Sequence, residues 1–310
     1  MNKSEKLGSA FSVAAVVVTY NRADLLLLCL SAIFSQSRRP DRIILINNAS
    51  TDDTLELLEK EGWLDCPELE LISLAENTGG AGGFHEGVRK AREDGYDFVW
   101  LMDDDVVPKV AALQELLDSL ATINDKSIFL SSVAFSQDET QTVNVPLVNA
   151  DPTEGGYPNW AYLLERGLVQ ISAATFVSIL IPTEVIRKVG LPMKEFFIWG
   201  DDTEYTLRMS RGGVKGYYVG SSRVLHLRPG VQGLDIRNES ESNRIRLYEF
   251  LYRNRMYLAR RYGTESVPLF VYRSLVRAAS CLLRQRSLLK ARVIVVGVLK
   301  GCFFNPRLEM

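Results

Sequence analysis

The stretch Asp97-Phe98-Val99-Trp100-Leu101-Met102-Asp103-Asp104-Asp105 is an apolar run that stops at three consecutive carboxylates. It reads as a buried strand with acid at its tip. Three adjacent ionised carboxylates repel one another, and either solvent or a hard cation relieves them. The tip is therefore a divalent-metal site or a solvated acidic turn, and the surrounding chain has to decide between the two.

Upstream, Val13-Ala14-Ala15-Val16-Val17-Val18 is a continuous apolar run rich in β-branched residues, the pattern of a strand buried on both faces. It ends in Thr19-Tyr20-Asn21-Arg22, after which Asp24 can cap a helix through Leu25 to Ser35. Ile43 to Ile46 ends in Asn47-Asn48-Ala49-Ser50, Thr51 to Asp53 open a short helix through Leu58, and Leu69 to Leu74 ends in Glu76-Asn77-Thr78-Gly79-Gly80. Gly79 to Gly87 leads into a helical pattern through Arg92, and the fourth strand then delivers the aspartates. Strand and helix alternate four times across short connections, which predicts an α/β domain with a mainly parallel sheet. In such sheets ligands bind beyond the carboxyl ends of the strands. All four tips here are polar, so they gather around one pocket.

The glycine segment fits neither familiar phosphate loop. Gly80-Ala81-Gly82-Gly83-Phe84-His85 lacks the last glycine of the dinucleotide fingerprint, and Val88 stands where a P-loop needs lysine. Its glycines serve either close approach of backbone N–H groups to a diphosphate or tight backbone packing.

Downstream, Val110 to Leu120 is an amphipathic helix and Ile128 to Phe135 a strand. Gln137 to Pro158 is polar and irregular, as lids and binding loops often are, and Leu168 to Ile181 returns to strand composition to complete the sheet. A second acidic cluster, Phe196-Phe197-Ile198-Trp199-Gly200-Asp201-Asp202-Thr203-Glu204-Tyr205, opens a helix from Thr203 to Arg211. Aromatics beside carboxylates suit a sugar face and a proton acceptor, while acids at a helix start are also favoured by the helix dipole. One of the two histidines, His226, lies in the short strand Val224 to Pro229.

The net charge of −2 conceals a division. From Arg244 onward 14 basic residues face three acidic ones, a tail of +11 on a remainder of −13. Arg244 to Leu258 alternates apolar and basic residues at helical spacing, which reads either as a membrane-surface helix or as a helix packed on the acidic body. Aromatics between arginines raise RNA as a ligand, but no nucleic-acid module accompanies them. The 46% hydrophobic composition is globular, and Cys29, Cys66, Cys281 and Cys302 show no zinc spacing, consistent with reduced thiols in the cytoplasm. Lys3 and Lys6 before Phe11 to Val18 imitate a signal peptide, but Glu5 and the lack of a cleavage pattern assign that run to a first strand. No segment reaches the ~20 apolar residues of a spanning helix.

Taken in order, Thr19-Tyr20-Asn21-Arg22, Asn48-Ala49-Ser50-Thr51-Asp52, Asn77-Thr78-Gly79-Gly80-Ala81-Gly82-Gly83-Phe84, Asp103-Asp104-Asp105, Trp199-Gly200-Asp201-Asp202-Thr203-Glu204 and His226 resemble the GT-A-fold inverting glycosyltransferases. Within these family-2-like enzymes the chain looks most like bacterial galactofuranosyltransferases, with rhamnosyltransferases close. The likeness covers roughly Val13 to His226 and continues weakly into Tyr252-Arg253-Asn254.

The resemblance implies a Rossmann-like, mainly parallel mixed sheet flanked by helices over residues 1–240; the basic helical tail over 241–310 reads, from its own charge and periodicity, as membrane-associating. The resemblance also implies Mn²⁺ or Mg²⁺ held by Asp103, Asp105 and His226, and a nucleotide-sugar donor contacted by Thr19, Asn21, Arg22, Asn48, Asn77, Gly79, Gly80, Asp103 and Asp104. Asn48 stands where relatives often carry aspartate. UDP-galactofuranose is the favoured donor and dTDP-rhamnose the second. Trp199 and Asp201 fall on the acceptor side, with Asp202 as general base. The acceptor is then a saccharide or lipid-linked saccharide at the inner face of the membrane; no nucleic-acid partner is implied, and a homo-oligomer is compatible. Two other readings compete: an aspartyl-phosphate phosphatase, from Asp103-x-Asp105-x-Val107, and a non-catalytic peripheral membrane protein.

Overall fold

The computed structural model describes residues 11–123, 125, 127–150, 156–158, 160–227 and 233–310. Lys3 and Lys6 lie outside the described residues. The first part alternates as expected: β1 (Val13–Thr19), α1 (Ala23–Phe34), β2 (Arg42–Asn47), α2 (Thr54–Lys60), β3 (Leu69–Ser73), α3 (Gly79–Glu93) and β4 (Phe98–Asp103). Every residue of β1 is buried. Val13, Ala15 and Val17 pack against Leu26, Leu30 and Ile33 of α1, while Ala14, Val16 and Val18 pack against Phe84, Val88 and Ala91 of α3. The two-residue alternation of a strand thus supplies both layers, which is why the run is apolar throughout.

These strands form the parallel array β3-β2-β1-β4. The chain places β2 and β3 on one side of β1 and then returns to lay β4 on the other. The crevice beyond the ends of β1 and β4 is therefore a topological switch point, where α/β sheets bind ligands. Thr19 and Asp103 end those two strands.

The rest of the sheet uses β5 (Val106–Pro108), β6 (Ile128–Ser136), β7 (Thr142–Val143), β8 (Leu147–Val148), β9 (Leu168–Ala173), β10 (Ile179–Pro182) and β11 (Lys215–His226), with α4 (Ala112–Ile123), α5 (Thr183–Val189) and α6 (Asp201–Arg211) between them. The order is β3-β2-β1-β4-β10-β6-β11-β9-β8, with β5 on β11 and β7 on β6. β10 runs antiparallel to both β4 and β6, so the sheet is mixed.

Several local expectations change. Leu168 to Ile181 is two strands at separate places in the sheet. The short strand around His226 is the end of twelve-residue β11, whose pairing with β6 shifts between Val219 and Arg223; Arg228 and Pro229 lie outside the described residues. Arg22, not Asp24, takes the cap position of α1, and Asp24 sits in the first turn. The irregular segment after Gln137 contributes β7 and β8, and its residues 151–155 lie outside the described residues.

The tail folds into α7 (Ser242–Tyr262), α8 (Val267–Leu283) and α9 (Leu288–Phe303). Ile245, Tyr248, Tyr252 and Met256 bury the apolar stripe of α7 against α8 and α9. Gly297 and Gly301 let α9 lie against α7, since a Cβ on either would fall 2.7 Å or less from α7 atoms. Tyr257 and Leu258 share a cluster with Met193, Phe196 and Leu207. The 244–258 segment is therefore a packing helix, and its apolar face is not available to a membrane. Among the described residues no helix is long and apolar enough to cross one.

Candidate active site

The four polar tips meet, and their asparagines fasten them to one another. Asn21, at φ +53°, accepts from the Thr51 N–H at 2.7 Å, joining the first tip to the second. Asn48, 2% exposed, donates to Asn77 Oδ1 at 3.1 Å and accepts from the Thr78 N–H at 2.9 Å, joining the second to the third. The Asn77 oxygen also takes the Gly79 N–H at 2.8 Å. The amides expected to contact donor thus hold the pocket floor together.

Gly79 has the packing role of the two open to it. It sits at φ +72°, and a Cβ there would lie 2.0 Å from the Phe197 carbonyl oxygen, which accepts from the Ala81 N–H at 3.0 Å. Gly80 faces open space on the same helix start.

Asp104 and Asp105 are buried beyond the end of β4, and cations answer them. Thr19 Oγ1 donates to Asp104 Oδ2 at 2.8 Å, and one Arg22 nitrogen reaches Asp104 Oδ1 at 3.2 Å and Asp105 Oδ2 at 2.7 Å. His226 Nε2 stands 3.1 Å from Asp105 Oδ1. Asp103, Asp105 and His226 each offer one ligand atom, all within 4.8 Å of one another. Burial and the neighbouring aspartates push Asp103 well up, and burial raises Asp104 to about 6 despite Arg22. Burial acts on Asp105 too, but His226 and Arg22 outweigh it and hold it below its ordinary range.

Asp105 Oδ1 tests whether these groups suit a cation. It is buried with no aligned hydrogen-bond donor. His226 Nδ1 lies 2.8 Å from Asn144 Oδ1, an acceptor able to hold the ring proton on Nδ1 and so leave the Nε2 lone pair for an ion placed between the ring and that oxygen. Two carboxylates and an imidazole lone pair converging on one point fit a divalent ion.

The second cluster lies at the start of α6, where backbone N–H groups are its main polar partners. Asp202 Oδ1 accepts from the Thr203 N–H at 2.6 Å and from its hydroxyl at 3.2 Å. Burial and then Asp202 raise Asp201 to about 8, and burial raises Asp202. The charge of Asp201 is also among the influences raising Asp103, so the two clusters share one electrostatic space.

The loop before Asp201 is strained. Phe197 has φ +63° and ψ −64°, with the Ile198 N–H donating to the Phe196 carbonyl at 2.7 Å, a tight γ-turn of the unfavourable hand. Trp199 follows at φ +62° and Gly200 at φ +100°. Such backbone persists only when its surroundings over-determine it. Here α7 does so: Asn254, 0% exposed, donates to the carbonyls of Phe196 (3.0 Å), Ile198 (3.0 Å) and Trp199 (2.8 Å). Arg253 donates to the Glu195 and Phe196 carbonyls, and its guanidinium lies 4.8 Å from the Phe250 ring centre. Phe250 stacks on Phe197, and the Trp199 ring packs on Tyr248.

The residues expected at the donor and metal sites do come together, as do Trp199, Asp201 and Asp202. Sequence reasoning missed Asn144, Arg253 and Asn254 as site-builders. Asn144 sits in an irregular segment and carries no local signal. The adjacent Arg253 and Asn254, a polar pair inside an otherwise apolar stripe, did carry one.

Comparison with known proteins agrees with this geometry. Residues 14–181 match the family described as Glycosyl transferase family 2. The chain belongs to that family. It is 30% identical over 212 residues to "Galactofuranosyltransferase GlfT1" of Mycolicibacterium smegmatis, covering 65% of this chain and 66% of that protein. It is 25% identical over 222 residues to "dTDP-rhamnosyl transferase RfbF" of Shigella flexneri, covering 69% of each. This family 2 chain thus spans just under two thirds of the mycobacterial-type relative's length. Among solved structures, GalNAc-T7 with UDP, GalNAc and Mn²⁺ superimposes at a TM-score of 0.57, with 17% identity, covering 85% of this chain and 54% of that one. At that identity the likeness establishes the shared GT-A fold.

Proposed function

We propose that the chain is an inverting, divalent-metal-dependent glycosyltransferase. In this reading it moves a sugar from a nucleotide diphosphate to a saccharide or lipid-linked saccharide in cell-surface polysaccharide synthesis. Galactofuranose is the favoured sugar, because the galactofuranosyl relative is the more similar of the two compared; rhamnose from a dTDP donor is the second candidate. The observation that carries the reading is the placement of two unlike carboxylate clusters in one electrostatic space beyond the switch point of the sheet.

Asp103, Asp105 and His226 would hold Mn²⁺ or Mg²⁺. When bound, the ion neutralises the charge that grows on the departing diphosphate. Arg22 keeps Asp105 ionised for that role, and Asn144 keeps the His226 Nε2 lone pair turned inward. Trp199 offers the acceptor an apolar wall, and Asp202 takes the proton from its hydroxyl as the new bond forms, with Asp201 as the neighbouring acid. Attack opposite the leaving group inverts the anomeric carbon in one displacement. The donor-side roles of Thr19, Asn48, Asn77, Gly79 and Gly80 are to shape the floor that the nucleotide lies on. A lipid-linked acceptor places the enzyme at the inner face of the cytoplasmic membrane.

The test is a panel of UDP- and dTDP-sugars scored for binding and transfer with and without Mn²⁺ or Mg²⁺. The expected result is cation-dependent transfer from UDP-galactofuranose that is lost in Asp105→Ala. Transfer unaffected by chelation and by that substitution would reject the metal assignment.

A further inference from the structure

The apolar stripe of α7 is consumed in packing, but α8 keeps a second one that none of the described residues covers. Phe270, Ser274, Ala278 and Cys281 are its buried face. Away from it, Leu269 (41% exposed), Tyr272 (65%), Leu275 (53%), Val276 (52%), Leu282 (45%) and Leu283 (77%) all face solvent. At 3.6 residues per turn these six fall within a single arc of roughly 140°. Single exposed apolar side chains are ordinary; a contiguous helical face of them marks an interaction surface.

The charge around this face identifies its occupant. From Ser266 to Leu308 the chain carries eight basic residues and no acidic one. Arg273 and Arg284 follow one another along one edge of the exposed arc, and Arg286 and Arg292 are exposed just beyond α8. A two-fold interface would set this acid-free stretch against its own copy and bring like charges together, since the neighbouring Glu265 and Asp235 are already paired with Arg255 and Arg237. An anionic lipid leaflet instead accepts the apolar side chains below its headgroups and supplies the missing negative charge.

We propose that α8 is a membrane-docking helix, lying in the headgroup region of an anionic leaflet on its Leu269–Leu283 face. This refines the lipid-linked acceptor reading by naming the surface that meets the membrane. It does not depend on which sugar is transferred. Because α8 and α9 pack on α7, and α7 holds the Phe196–Trp199 loop, a chain of packing and hydrogen bonds joins the docked face to the second acidic cluster.

The experiment is co-sedimentation of the full chain with vesicles of phosphatidylcholine alone and of phosphatidylcholine mixed with phosphatidylglycerol, in the absence of any nucleotide sugar. The wild type should bind the anionic vesicles, more weakly as salt is raised. Leu275→Glu with Leu283→Glu should weaken that binding tenfold or more, with an unchanged melting temperature, because both side chains are exposed. Arg273→Glu with Arg284→Glu should remove the preference for phosphatidylglycerol. Absence of vesicle binding by the wild type overturns the proposal, as does undiminished binding by the leucine pair. A dimer that the leucine pair converts to monomer overturns it in favour of a self-association face. Transfer to a water-soluble acceptor is measured separately, so failure of the docking assignment and failure of the glycosyltransferase reading are distinguishable.

Discussion

The two acidic clusters share one electrostatic space but differ in what answers their charge. Asp104 and Asp105 are met by Arg22, Thr19 and His226, so positive charge and donors compensate the buried carboxylates. Among the described residues Asp201 and Asp202 have no such cation; they rest on helix-start N–H groups and on each other. Asp105, held ionised, suits a cation, whereas Asp103 and Asp104 are raised by burial as the second pair is. A carboxylate whose proton affinity is raised by burial suits proton transfer, because a base works best when its pKa approaches the working pH. In the proposed reading, the contrast between Asp105 and the Asp201–Asp202 pair assigns leaving-group work to the first cluster and acceptor work to the second.

The most damaging test of that division is Asp202→Asn. The amide keeps the shape and loses the proton-accepting oxygen, so kcat should fall by ~10²–10⁴-fold while donor affinity, read by calorimetry with the metal present, stays unchanged. Full activity would remove the base assignment and pass the role to Asp201. A matching loss of donor binding would show instead that the second cluster also serves the diphosphate.

A smaller effect is expected from the brace behind the second cluster. Asn254→Ala removes the Asn254 donor from the Ile198 and Trp199 carbonyls, while the Phe196 carbonyl keeps Arg253 and the Ile198 N–H, and loosens the γ-turn at Phe197. It should cost about 1–3 kcal/mol of stability, the usual consequence of orphaning buried polar groups. The informative readout is kinetic: kcat should fall about tenfold with donor KM little changed, and Trp199 fluorescence should broaden or shift. Equal losses in KM and kcat would mean that the brace acts on the whole fold and not on the acceptor side.

The sheet was legible because β1 to β4 are short apolar runs with polar ends, a pattern that local sequence fixes. The first cluster was legible for the same reason: Asp103 to Asp105 are contiguous and end a strand. His226 was harder, since its 3.1 Å approach to Asp105 depends on β5 and β6 pairing with the far end of β11. The brace was legible only as a weak continuation of the family likeness at Tyr252-Arg253-Asn254, with nothing to say what its side chains hold. Asn254 lies more than 50 residues from the carbonyls it holds, and helical periodicity predicts only that a stripe is buried, not what a lone amide in it grips. Periodicity also could not say which of the tail's amphipathic helices spends its apolar face on the protein. α7 does, through Ile245, Tyr248 and Tyr252; α8 does not.

The subtlest consequence concerns pH. Asp201 titrates near the ordinary 3.8 when unfolded and at about 8 when folded. Between those values the folded chain binds a proton that the unfolded chain does not, so this group's contribution to stability is fully present below pH ~4 and declines as pH rises toward 8. The compensated carboxylate Asp105 has the opposite sign: its folded value lies below 3.8, and its contribution is lost only as pH falls through that value. Asp201→Asn, which is permanently neutral, should therefore lessen the decline in melting temperature between pH 5 and pH 8, to which Asp103, Asp104 and Asp202 also contribute, and leave the acid limb in place. Melting curves across that range, taken without added metal, provide the check. Parallel pH profiles for variant and wild type would mean that Asp201 is solvated and ionised like a surface acid, and the contrast between the clusters would then rest on Asp202 alone.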